Sequence, residues 1–113
     1  MIVKLFEYLQ EKEIDVYFVG QHKGECKKPY VVLKDDGTNS LNGKTGTSLI
    51  DVLFFIPENK FTRCESYKND VKRLINQFGK IRYTGIETGI VVDDQKKALT
   101  FSVMYQCLKK LGE

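Results

Sequence analysis

The chain has 113 residues, 42% of them hydrophobic and 29% charged, with a net charge of +3. That composition describes one ordinary globular domain with a single modest core, and excludes a disordered tail or a strongly basic nucleic-acid carrier. No apolar run approaches the roughly 20 residues that a membrane-spanning helix needs, and Lys4 and Glu7 interrupt the apolar segment that a secretory signal requires.

Residues 1 to 12 read as a helix, because Ile2, Leu5, Phe6 and Leu9 recur on one face. DVYFV, residues 15–19, is a short strand rich in β-branched and aromatic types. GQHKGECKK follows as a charged connector into the strand PYVVLK, whose Pro29 sits where a missing N–H does least harm. Residues 35–48, DDGTNSLNGKTGTS, read as a long polar hairpin loop, and loops of that length are usually functional or disordered.

LIDVLFFIP, residues 49–57, is the strongest strand. Ile50, Val52, Phe54 and Ile56 line one face, and Leu49, Asp51, Leu53 and Phe55 the other. Both faces are mostly apolar, so both should be covered. Two helices can cover only one, which points to self-association through the second.

Pro57 ends that strand, and a second helix starts near Thr62, where Thr62 and Glu65 have capping-box spacing. Cys64, Tyr67, Val71, Leu74, Ile75 and Phe78 form its apolar stripe, and Gly79 is placed to end it in the left-handed conformation. IRYTG and IVVDD are strands, and residues 93–97 form a polar turn. In the last strand Leu99, Phe101, Val103 and Tyr105 alternate with Thr100, Ser102 and Met104. The expected fold is a single α+β domain over residues 1–113: an antiparallel sheet packed on two helices in the order helix–hairpin–helix–hairpin.

The residues that could carry chemistry are few. His22 is the only histidine, with Cys26 four residues on, but a cysteine nucleophile also needs an orienting group and an oxyanion hole, and zinc needs about four ligands. The lysines around them repel a cation. Cys26, Cys64 and Cys107, odd in number and about 40 residues apart, suit reduced thiols better than a disulfide framework. Asp35–Asp36 and Asp93–Asp94 sit at turns, where aspartate bonds nearby N–H groups. GKTGTS, residues 43–48, lacks the earlier glycine and the following helix of a phosphate loop. Lys23, Lys27, Lys28, Lys34 and Lys44 lie near Tyr17, Phe18 and Tyr30, a mixture that can bind single-stranded nucleic acid by stacking, although these aromatics occupy ordinary core positions. No catalytic, metal or cofactor site is expected, and the chain reads as a non-enzyme.

The segments IDVYFVGQHKGECKKPYVVLKDDGT, LIDVLFFIPENKF and IRYTGIETGIVVDDQKKALTFSVMYQ together resemble small tail terminators, or tail-completion proteins, of Gram-positive phages, prophages and phage-tail-like bacteriocins. Where related sequences often carry proline, this chain has Tyr83 and Gly89. The resemblance implies a six-membered ring on the head-proximal end of the tail tube. Such a ring ends tube polymerisation and joins the tail to the neck or collar, and to the sheath in contractile particles. Its partners would be further copies of itself and the tube protein, with DNA only as passing cargo and no membrane. It would be made in the bacterial cytoplasm and end in the particle. On this reading Thr38, Asn39, Asn42, Lys44 and Thr45 are candidates for tube contact. Leu49, Asp51, Leu53 and Phe55 are candidates for the subunit interface, and Lys23, Lys27 and Lys28 form a basic patch. A head–tail connector, a minor tail component, or a small nucleic-acid-binding module is the alternative.

Overall fold

A computed structural model describes residues 1–22, 24–40 and 45–110. Its elements are α1 (Ile2–Glu11), β1 (Val16–Phe18), β2 (Tyr30–Ser40), β3 (Thr45–Pro57), α2 (Arg63–Phe78), β4 (Arg82–Glu87), β5 (Val91–Asp93) and β6 (Ala98–Lys110). Among the described residues one six-stranded sheet forms in the order β1-β2-β3-β6-β4, and β5 also pairs with β6.

This corrects the expected architecture. The fold is mixed α+β and strand-rich, with three strands after each helix, and not a helix–hairpin–helix–hairpin chain on an antiparallel sheet. β1 runs parallel to β2, with Val16 opposite Val31 and Phe18 opposite Leu33. Two strands joined by a tight turn can only be antiparallel, and the parallel pair is possible because residues 19–29 form a crossover long enough to carry the chain back. Side-chain alternation reports which face a residue takes and says nothing about the direction of its neighbour, so the sequence left this open.

The inner face follows the alternation closely. Val31, Leu33, Ile50, Val52, Phe54, Ile56, Phe101 and Val103 are buried against Leu5 and Leu9 of α1 and Cys64, Tyr67, Val71 and Ile75 of α2. The Phe6 ring stacks on Phe18 at 4.4 Å, and the Tyr8 hydroxyl donates to the Leu74 carbonyl at 2.7 Å, tying α1 to both sheet and α2. Gly79 ends α2 at φ 74°, as its position predicts. The Thr62 capping box does not form: Thr62 is itself helical (φ −65°, ψ −16°), whereas a capping side chain reaches the first turn from extended backbone. The helix is entered instead through a tight turn, with Arg63 N–H bonded to Lys60 O at 2.9 Å and Cys64 N–H to Phe61 O at 3.1 Å.

The loop expected over residues 35–48 is mostly strand. β2 and β3 stay paired out to Ser40 and Gly46. The register shifts between Asp35 and Gly37, where Gly37 takes φ 95° and its N–H bonds the Asp35 carboxylate at 2.7 Å. Asp-Asp-Gly therefore acts as a β-bulge inside a ladder and not as the mouth of a loop. Thr38 and Asn39 lie on β2 opposite Ser48 and Thr47, and Thr45 lies on β3 opposite Lys110 of β6. Asn42 and Lys44 lie outside the described residues. The thirteen residues of β3 span roughly 43 Å, close to the longest dimension of the molecule, 47 Å. Among the described residues of β3 the helix-packed core begins at Ile50, and Thr38, Asn39 and Thr45 lie on the paired strands beyond it.

Candidate functional site

The outer face of the sheet, away from the helices, holds the interface candidates in one row. Leu49, Asp51, Leu53 and Phe55 are all half-buried on β3, beside Thr100, Ser102, Met104 and Gln106 of β6. Part of their cover comes from the chain itself. The crossover folds over the end of this face, where Cys26, Tyr30, Val32 and Ala98 form a second, smaller core with Tyr17, Leu53 and Phe55 packed on it. Tyr30 lies between the rings of His22 (3.9 Å) and Phe55 (4.9 Å), with Tyr17 edge-on at 5.4 Å. Cys26 N–H bonds Lys96 O at 2.7 Å, and Lys96 Nζ donates to His22 O at 3.3 Å, which fastens the crossover to the β5–β6 turn.

These contacts explain the connector's composition. His22 is a stacking ring, held neutral by burial and by the Lys96 charge, which both lower its pKa. Cys26 is buried, its thiol donates to the Lys28 carbonyl at 3.4 Å, and burial pushes its pKa up to about 11. A thiol held that far above neutral pH is not a thiolate nucleophile. The geometry does not join His22 and Cys26 as base and nucleophile. Lys27 is exposed, Lys28 makes a long, exposed ion pair with Asp15 at 3.7 Å, and Lys23 lies outside the described residues. Tyr17, Phe18 and Tyr30, the aromatics that could have stacked on bases, are engaged in the chain's own packing.

One cost of this arrangement is visible. The Tyr30 hydroxyl is buried without a hydrogen-bond partner in a side chain 1% exposed. Tyr30→Phe keeps the stack and removes an orphaned polar group, so it is expected to raise stability by about 1 kcal/mol. A rise in the urea midpoint with an unchanged slope is the result to look for, and a clear fall would show that the hydroxyl is bonded in solution.

The carboxylates divide by role. Asp35 and Asp93 serve their turns, Asp93 accepting from the N–H groups of Gln95 (3.1 Å) and Lys96 (3.2 Å). The bulge brings Asp36 next to Asp51 on the outer face, a pairing that residue spacing did not reveal. Lys34 pairs with Asp36 at 3.5 Å, while burial and the Asp36 carboxylate push Asp51 up to about 6. The folded state thus holds more protons than the unfolded chain between the ordinary value of 3.8 and about 6, so Asp51's contribution to stability falls as pH rises through that window. Asp51→Asn is expected to add about 1 kcal/mol at neutral pH, after discounting for solvent screening, and to flatten that limb. Urea unfolding at a series of pH values checks both. Among the described residues no three His, Cys, Asp or Glu side chains gather closely enough to hold a metal ion.

Two concavities lie on the surface of the described residues. A groove of about 290 Å³ on the outer face is walled by Val19, Val32, Leu53 and Phe55, with Tyr30 and His22 at its side and Lys34 and Lys96 alongside. A cleft of about 510 Å³ lies between the end of α2 and β4, lined by Lys72, Arg82, Tyr83 and Tyr105, although Lys72 is already bonded to Glu87. A further feature escaped the sequence reading. Tyr83, Ile86, Ile90, Val91 and Val92 are all exposed along β4 and β5, the edge of the sheet. Ile90, Val91 and Val92 stand consecutively, so at least one of them must face outward from the core, which was the available signal.

No helix among the described residues is long and apolar enough to cross a membrane. Compared with known protein families, with curated proteins and with solved structures, the chain matches none of them.

Proposed function

We propose that this chain is a structural subunit of a phage-type tail, forming a six-membered ring that caps the head-proximal end of the tail tube. In that role it ends tube polymerisation and links the tail to the neck or collar, and to the sheath where the tail contracts. The observation that carries the reading is the outer face of β3. Leu49, Leu53 and Phe55 stand half-open there, on a strand whose inner face is buried from Ile50 to Ile56. The crossover covers one end of that face only, and apolar surface left beside a finished core is the mark of a subunit. A rotationally closed ring hides such surface by contacts between different patches of identical copies. On this reading the paired strands carrying Thr38, Asn39 and Thr45 are the part that meets the tube.

Native mass spectrometry and electron microscopy with purified tail tubes test this. Hexamers seated at one end of the tube are expected. A protein that stays monomeric and ignores tubes overturns the reading.

A further inference from the structure

Among the exposed apolar residues, which also include Val3 and Phe61, two groups on the sheet differ in shape. One is the outer-face groove between β1, β2 and β3, with Val19 62% exposed at its wall. The other is the β5 segment at the opposite edge, where Ile90, Val91 and Val92 are 42%, 60% and 56% exposed. Neighbours in a strand point to opposite faces, so β5 is bare on both. Sheet edges are normally guarded by lysine, proline or an inward charge. Between Tyr83 and Val92 there is no lysine or proline, and the one charge, Glu87, is bound by Lys68 and Lys72. β5 is thus a ridge and the outer face holds a recess. They are separated by β6, and Lys96 of the turn after β5 also lines the recess.

Their charges also fit. At the tip beside β5, Asp93 accepts from its own turn, Lys96 donates to His22 O, and Lys97 pairs with Glu25 at 3.3 Å. Asp94 is left exposed, with no partner among the described residues. The groove offers Lys34, whose side chain is 52% exposed, pairs with Asp36 at 3.5 Å and stands opposite Asp51 in the ladder. At about 290 Å³ the groove is small for an independent ligand site and suited to a few side chains.

We propose that the ridge Ile90–Val92 of one copy enters the outer-face groove of the next, with Asp94 meeting Lys34. The contact is head-to-tail, which is what rotational closure requires. It rests on the ring reading and adds which patches mate and in which direction. The partner is a second copy of this chain, because one molecule carries both the neutral apolar ridge with an acidic tip and the apolar recess with a basic wall.

The test uses the full chain in sedimentation velocity and native mass spectrometry. The ridge variant, Val91→Ser with Val92→Ser, changes exposed residues only, and the groove variant is Lys34→Glu with Leu53→Ser. Each alone is expected to weaken association at least tenfold. Mixed, the two are expected to form a 1:1 dimer, because one intact ridge still meets one intact groove. Asp94→Lys alone should weaken assembly, and adding Lys34→Glu should restore it, a readout that a misfolded variant cannot give. A wild-type protein that is monomeric overturns the ring and this contact together. Wild-type assembly that the ridge variant leaves intact overturns the contact alone. So does a mixture that yields no heterodimer, because that outcome belongs to ridge-to-ridge pairing.

Discussion

Phe54→Ala is expected to cost about 3–5 kcal/mol, the usual range for truncating a buried aromatic. Phe54 is 0% exposed on β3, its ring stacked on Phe101 at 4.9 Å and edge-on to Tyr67 of α2 at 6.1 Å. It therefore joins the two longest strands to the longer helix, and neither Phe101, fixed on β6, nor Tyr67, fixed on α2, can collapse into the space without moving its own element. For a domain whose total stability is about 5–15 kcal/mol, such a loss is a large share of the whole. Phe55 supplies the control. It is the next residue, but it points to the outer face, half-buried beside Tyr30. Phe55→Ala removes less buried surface and is expected to cost only about 1–2 kcal/mol in the monomer, while weakening assembly. Urea denaturation and sedimentation on the two variants separate these effects. Equal losses of stability would mean that the outer face is as fully packed as the inner one.

That contrast also marks how far the sequence could be read. Where one face of an element meets the core, periodicity located it: Ile50 to Ile56, Leu99 to Tyr105, and the stripe of α2 all lie where their spacing places them. Gly79 was legible because a helix end at positive φ selects glycine. The failures share a different cause. The direction of β1, the bulge at Asp36 and the reach of the β2–β3 hairpin are properties of pairing between segments, and no local pattern encodes them. Asp36 and Asp51 are fifteen positions apart and adjacent only because one extra residue shifts the register. In the sequence the stretch from His22 to Cys26 reads as a charged connector without chemistry, and only the stack on Tyr30 and Phe55 shows that it also covers the sheet.

A second large effect is expected at Glu87, which organises the irregular stretch containing Tyr83 and Gly89. Its carboxylate accepts from Lys72 at 2.7 Å, from Lys68 at 3.0 Å and from the Tyr83 hydroxyl. These bonds tie α2 to β4, whose ladder to β6 is interrupted between Tyr83 and Glu87. Lys72 also lies 4.3 Å from the centre of the Tyr83 ring, so one lysine serves both partners. Glu87→Ala leaves two half-buried ammonium groups and a phenol without their shared acceptor, at an expected cost of about 2 kcal/mol, below the range for fully buried pairs because water still reaches the site. In a chain of this size that corresponds to a fall in Tm of roughly 8–12 °C. The bonds from Lys72 and Tyr83, helped by Lys68, hold Glu87 down to about 2, against an ordinary value of 4.5. A depressed carboxylate contributes fully above the unfolded value and loses that contribution as pH falls through the folded one. The stability gap between wild type and Glu87→Gln should therefore be constant above about pH 5 and close between about 4.5 and 2. Thermal melts across that range measure it. A gap that persists unchanged at the acid end would show that Glu87 acts through packing and not through its charge.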